Sequence, residues 1–70
     1  MTVRDLIDIL ENFDDDMEVI IGMKQTYGTD FAMGIRDVEE HPVRAFYGED
    51  YTAIVITEGR QVGAVDYDEF

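Results

Sequence analysis

The ten residues Tyr51-Thr52-Ala53-Ile54-Val55-Ile56-Thr57-Glu58-Gly59-Arg60 decide how the rest of this chain folds. At their centre stand four consecutive apolar residues, Ala53 to Ile56, bounded by polar and turn-forming neighbours. Such a run is too short for a buried helix and suits a central strand covered on both faces. Gly59-Arg60 follows as a two-residue turn with glycine first, which predicts a type II′ hairpin from Tyr51–Glu58 into Gln61–Val65. On the other side, Gly48-Glu49-Asp50 reads as a tight hairpin joining back to a strand over Val43–Tyr47.

Working outward, Phe31, Met33 and Ile35 alternate with Ala32, Gly34 and Arg36, predicting a strand that runs into Val38. The stretch Asp37 to His41 also admits a helical turn, and Pro42 biases His41 away from helical angles, so a break and a surface turn are expected there. Lys24 to Asp30 reads as a connecting loop. Met17 to Met23 is a further strand, with Met17, Val19, Ile21 and Met23 on one face. Asn12 to Asp16 is a turn, because Asn and Asp bond locally to the backbone and adjacent carboxylates repel.

The N-terminal segment is an amphipathic helix from about Val3 to Asn12. Val3, Leu6, Ile7, Leu10 and Phe13 keep the i, i+3, i+4, i+7 spacing of one buried stripe, with Ile9 at its border. Thr2 is the N-cap, and Asp5, three residues later, falls where a carboxylate meets the free N–H groups and the positive helix end, a weaker relative of the usual Glu or Gln capping box. The fold class that follows is α+β: one domain over residues 1–70, with the N-terminal helix packed on an antiparallel sheet of four to five short strands. The acidic, aromatic end from Asp66 to Phe70 is expected to fray.

Seventy residues carry 17 Asp and Glu against 5 Lys and Arg, a net charge of −12, with one His, no Cys and no Ser. Without cysteine there is no disulfide and no thiolate zinc site, as expected of a reducing, cytoplasmic setting. No apolar run reaches the roughly 20 residues of a membrane span, and the first residues, with Arg4, Asp5 and Asp8, do not read as a signal peptide. Nucleophilic chemistry would fall to five Thr and His41, with no activating base in view. The run Asp14, Asp15, Asp16, Glu18 offers carboxylates to a hard cation. As an EF-hand it places Val19 where glycine is required and Gln25 where the bidentate glutamate belongs. No phosphate-binding glycine loop is present. The chain is read as non-catalytic, with no cofactor and no dedicated metal site.

Charge is what remains. A net −12 repels nucleic acid and anionic membrane and favours a cationic partner. Twelve phosphates span roughly 20 Å of duplex, and chain-length scaling predicts a radius of gyration of about 11 Å for a chain this size. The candidate partner-binding residues are Asp8, Glu11, Asp14, Asp15, Asp16, Glu39, Glu40, Glu49, Asp50, Asp66, Asp68 and Glu69. They form rows able to meet Lys and Arg on a nucleic-acid-binding protein. Self-association as a homodimer is left open.

The segments Thr2-Val3-Arg4-Asp5-Leu6-Ile7-Asp8-Ile9-Leu10 and Phe13-Asp14-Asp15-Asp16-Met17-Glu18-Val19-Ile20-Ile21 resemble a family of small proteins common in phages and mobile elements. That family opens with a T-V-x-x-L-I-x-x-L helix, a D-x-D turn and an E-V-x-I strand. In size and acidity the chain is also similar to phage anti-CRISPR proteins that mimic DNA. The resemblance implies an inhibitor in the host bacterial cytoplasm that covers the basic DNA site of a CRISPR effector, such as Cascade or Cas9. The alternative is a small phage structural, assembly or adaptor protein that engages its partner by a sheet edge or an aromatic patch around Tyr47, Tyr51, Tyr67 or Phe70.

Overall fold

The computed structural model describes residues 1–23 and 30–69. Element order is α1 (Val3–Leu10), β1 (Val19–Gly22), β2 (Phe31–Val43), β3 (Tyr51–Ala64) and a single 3₁₀ turn at Tyr67–Glu69. The strands form one mixed sheet in the order β1-β3-β2. β1 runs parallel to β3, with Val19 opposite Ile54 and Gly22 opposite Thr57. β2 runs antiparallel to β3, from Val43 opposite Tyr51 to Phe31 opposite Ala64.

This corrects the expected antiparallel sheet of four to five strands, and the reasons are local. Gly59-Arg60 is not a turn, because β3 passes straight through it. Gly48 is the one described glycine with positive φ (+87°), so Gly59 does not adopt the angle a type II′ turn demands. The extra length is absorbed as a bulge: Met33 to Ile35 is two steps on β2, whereas Gln61 to Glu58 is three on β3. Likewise the two strands expected before and after Pro42 are one. Pro42 lies opposite Thr52 in β2, and β2 is an edge strand, where a residue without N–H need not break the ladder. His41 therefore sits in a strand opposite Ala53 rather than in a surface turn. β2 ends at Val43, so Arg44 to Asp50 form the hairpin loop. In it, Ala45 N–H donates to Asp50 Oδ1 at 3.1 Å.

The capping box is present as expected. Asp5 N–H donates to Thr2 Oγ1 at 3.1 Å, and Thr2 N–H donates to Asp5 Oδ2 at 3.0 Å. The helix is shorter than its periodicity predicts. Asn12 closes it by donating from its side-chain amide to the Asp8 and Ile9 carbonyls at 3.2 Å each, and it satisfies carbonyls that lack intrahelical partners. The covered stripe is also rotated. Leu6, Ile9, Leu10 and Phe13 are partly covered, while Val3 is 77% exposed and Ile7 is exposed. Both stripes share the same spacing, and Ile9 decides between them.

The buried core among the described residues is Val38, Ala53, Ile54 and Val55, three of which are consecutive on the central strand, so both of its faces are covered there. The molecule is extended. Its radius of gyration is 14.0 Å and its extents are 37 × 31 × 22 Å, because the long β2–β3 ribbon projects beyond short β1. No helix among the described residues is long and apolar enough to cross a membrane.

Candidate functional site

α1 and the turn after it carry the first group of acids. Asp8 and Glu11 are exposed on the helix and its C-cap, and Asp14, Asp15 and Asp16 are exposed in the turn that Met17 N–H closes onto the Asp14 carbonyl at 3.2 Å. The Glu18 carbonyl accepts Ile54 N–H at 2.9 Å, which fixes the turn beside the start of β3, at the hairpin-loop end of the sheet. Among the described residues the charged contacts are Arg36–Asp37 at 3.6 Å and, when the imidazole is protonated, His41–Glu39 at 3.9 Å. Among the described residues, none of Asp8, Glu11, Asp14, Asp15, Asp16 or Glu18 has a cation within ion-pair reach.

Beside it lies a hollow of about 310 Å³, lined by Leu10, Phe13, Met17, Val19 and Ile54 with Asp14 and Asp15. An apolar lining with carboxylates matches the two halves of a lysine or arginine side chain, whose methylene stem packs on apolar surface while its charged head stays near water or a counter-charge. Asp5 plays a different part. Hydrogen bonds from the Thr2 backbone and side chain hold its carboxyl below the usual carboxylate range, so it is a helix cap.

The other expected residues do not join this group as one surface. Glu39 and Glu40 lie opposite Val55 and Ile54, and neighbours along a strand point to opposite faces. Glu39 shares its face with Asp37 and His41. Their ligand atoms lie within 4.8 Å of one another, a carboxylate–carboxylate–imidazole set of the kind that could hold a divalent cation. Glu39 and His41 are exposed, and Nε2 of His41 is 3.9 Å from Oε2 of Glu39. Glu49 and Asp50 are in the hairpin loop, where Asp50 is a structural acceptor. Asp66 and Asp68 follow the far end of β3, and the Asp68 N–H donates to Asp66 Oδ1 at 3.1 Å. The side chain of Glu69 lies outside the described residues, as does that of Phe70, named with the aromatic patch. Tip and tail stand at opposite ends of a molecule 37 Å long.

Two features carry no mark in the charge pattern. The first is an open groove of about 910 Å³ at the far end of the sheet. Three of its lining residues, Gly22, Gly34 and Gly59, have no side chain to fill it, and Arg36 and Arg60 also line it. Gly22 is bound to remain glycine, since a Cβ there would stand 2.8 Å from Val55 Cγ1. The second is the hairpin tip, where Phe46 and Tyr47 are 98% and 95% exposed. Tyr47 belongs to the aromatic patch anticipated from sequence, whereas the groove needed strand register to bring its three glycines together. No protein-family model matches the chain, and no curated protein or solved structure shows significant similarity to it.

Proposed function

We propose that this chain is a non-catalytic binding protein that occupies a cationic, nucleic-acid-binding surface of a host protein; in its most specific form, it is an inhibitor of a CRISPR effector. The observation that carries the reading is the acidic row from Asp8 to Glu18, without an ion-pair partner among the described residues, beside the hollow lined by Leu10, Phe13 and Met17. Lysine and arginine side chains of a DNA-binding groove would seat their stems in the hollow and their charges against Asp14 and Asp15. Such contacts speed association and select the partner more than they add affinity.

The test is capture from host lysate at low and high ionic strength by the wild-type chain and by Asp14→Asn/Asp15→Asn/Asp16→Asn. The proposal expects a nucleic-acid-binding protein that is released by salt, lost with the triple variant and displaced by duplex DNA. A captured set indifferent to salt and to the three substitutions would overturn it. The second reading, an assembly or adaptor protein, is favoured by the exposed aromatic pair Phe46 and Tyr47. It predicts capture that depends on those two residues instead.

A further inference from the structure

The accessible surface of the chain is 6152 Å². A folded monomer of 8.0 kDa scales to about 4,500 Å², so this protomer exposes about 1,700 Å² more than its mass accounts for. Standard stable interfaces take about 800 Å² from each partner. The surplus is therefore large enough to supply one.

Two parts of that surface match each other. The hairpin tip presents Phe46 and Tyr47 with Glu49 beside them, on a loop held by the Ala45–Asp50 hydrogen bond and the positive φ of Gly48. The groove presents space left by glycines and apolar wall from Met23, Ile35 and Val62, with Arg36, Glu58 and Arg60 as its charged lining and Arg36 paired with Asp37. Aromatic side chains fill apolar pockets with 150–250 Å² of burial each, which the tip supplies and the apolar wall of the groove accepts. A chain cannot make this contact with itself. Tyr51 and Glu58 are seven strand steps apart, about 23 Å, so a protomer's own tip lies well beyond its own groove.

We propose that two copies of this chain form a reciprocal dimer in which the hairpin tip of each occupies the glycine-floored groove of the other. A two-fold axis makes the exchange closed, since tip meets groove twice and no site remains for a third copy. Two aromatic anchors per tip and the matching groove walls remove roughly 600–1,000 Å² from each protomer, which brackets the standard interface. The loop enters already ordered, and this limits the entropy lost on association. Asp8 to Glu18 lie outside both surfaces, so the dimer stands or falls independently of the partner-binding role above.

Sedimentation equilibrium tests it with three full-length chains: wild type, the tip variant Phe46→Ser/Tyr47→Ser and the groove variant Arg60→Glu. Circular dichroism checks that each is folded. Val62→Glu, in the same groove and 73% exposed, replaces Arg60→Glu if that change disturbs the β3 bulge. The expected result is a wild-type mass of twice 8.0 kDa and two monomeric variants. The mixture of the variants should form a mixed dimer of weaker affinity than wild type, since it retains one of the two tip–groove contacts. A monomeric wild type, variants that remain dimeric, a mixture that does not associate, or open-ended polymers would each overturn the proposal. Asp14→Asn/Asp15→Asn/Asp16→Asn should leave the dimer intact.

Discussion

Replacing Ile54 probes the centre of the fold most directly. It is 1% exposed and the one large side chain of the described residues that is fully enclosed. It lies on the central strand opposite both Val19 and Glu40 and lines the hollow with Leu10 and Phe13. Ile54→Ala deletes three carbons from a site whose neighbours belong to three separate segments and cannot all close in at once. Loss of transfer energy plus the residual cavity costs about 2–5 kcal/mol, and Ile54→Val costs about 0.5–1.5 kcal/mol. A 70-residue chain has in total about 3.5–10 kcal/mol at 0.05–0.15 kcal/mol per residue. The larger truncation therefore consumes about a fifth or more of the stability. With 4–8 °C per kcal/mol for a domain of this size, thermal unfolding followed by circular dichroism should move down by at least about 8 °C for Ile54→Ala and by about 2–12 °C for Ile54→Val. Val3→Ala, at a position 77% exposed, should stay within about 0.5 kcal/mol of wild type. An Ile54→Ala transition within 3 °C of wild type would refute the reasoning, since the four-residue core would then not be what holds the sheet together.

Gly22→Ala should destabilise by about 1–3 kcal/mol through overpacking against Val55, read as a lower urea midpoint; an unchanged midpoint would show that the β1–β3 contact is looser than its geometry. Thr2→Ala should cost about 0.5–2 kcal/mol by removing the N-cap, and an unaltered melting temperature would count against the capping box. The depressed carboxyl of Asp5 gives a direction in acid: its cap is fully present above the unfolded carboxylate pKa of about 3.9 and is lost as pH falls through the lower folded value. Far-ultraviolet circular dichroism should therefore show wild type losing helix below pH 4 more steeply than Asp5→Asn, and parallel curves would refute the assignment. Added sodium chloride should raise the melting temperature by screening a net charge of −12, whereas a falling transition would mean that the acids are locally compensated.

Sequence showed most where one residue type dictates one geometry. Thr2 and Asp5 announced the helix start because only a hydroxyl and a carboxylate at that spacing cap each other. Ala53 to Ile56 announced the central strand because an unbroken apolar run must be covered on both sides. Gly59-Arg60 misled because the same dipeptide serves a hairpin turn or a bulge, and only the partner strand's length selects between them. Pro42 misled in the same way, since its meaning depends on whether the strand is an edge. Alternation gives each strand its faces but not its neighbours, so the parallel β1–β3 pairing was invisible. So were the groove assembled from Gly22, Gly34 and Gly59 and the separation of Asp66 and Asp68 from the other acids. The helix stripe was ambiguous in its rotation, with Ile9 entering the covered face and Val3 and Ile7 leaving it.

The strand order has a consequence for how the chain comes apart. Val43 and Tyr51 meet across a short loop, so the β2–β3 ribbon closes cheaply. Val19 and Ile54, 35 residues apart by their numbers, meet only after that ribbon exists to receive them. β1 joins the sheet through four residue pairs, and together with the helix ahead of it, packed around Ile54, it is the flank expected to open first while the ribbon persists. Native-state hydrogen exchange should find the β1 amides opening at lower energy than those of β2 and β3 around Val38 and Ile56. A partner that grips the Asp8–Glu18 row would then also clamp the least stable part of the sheet.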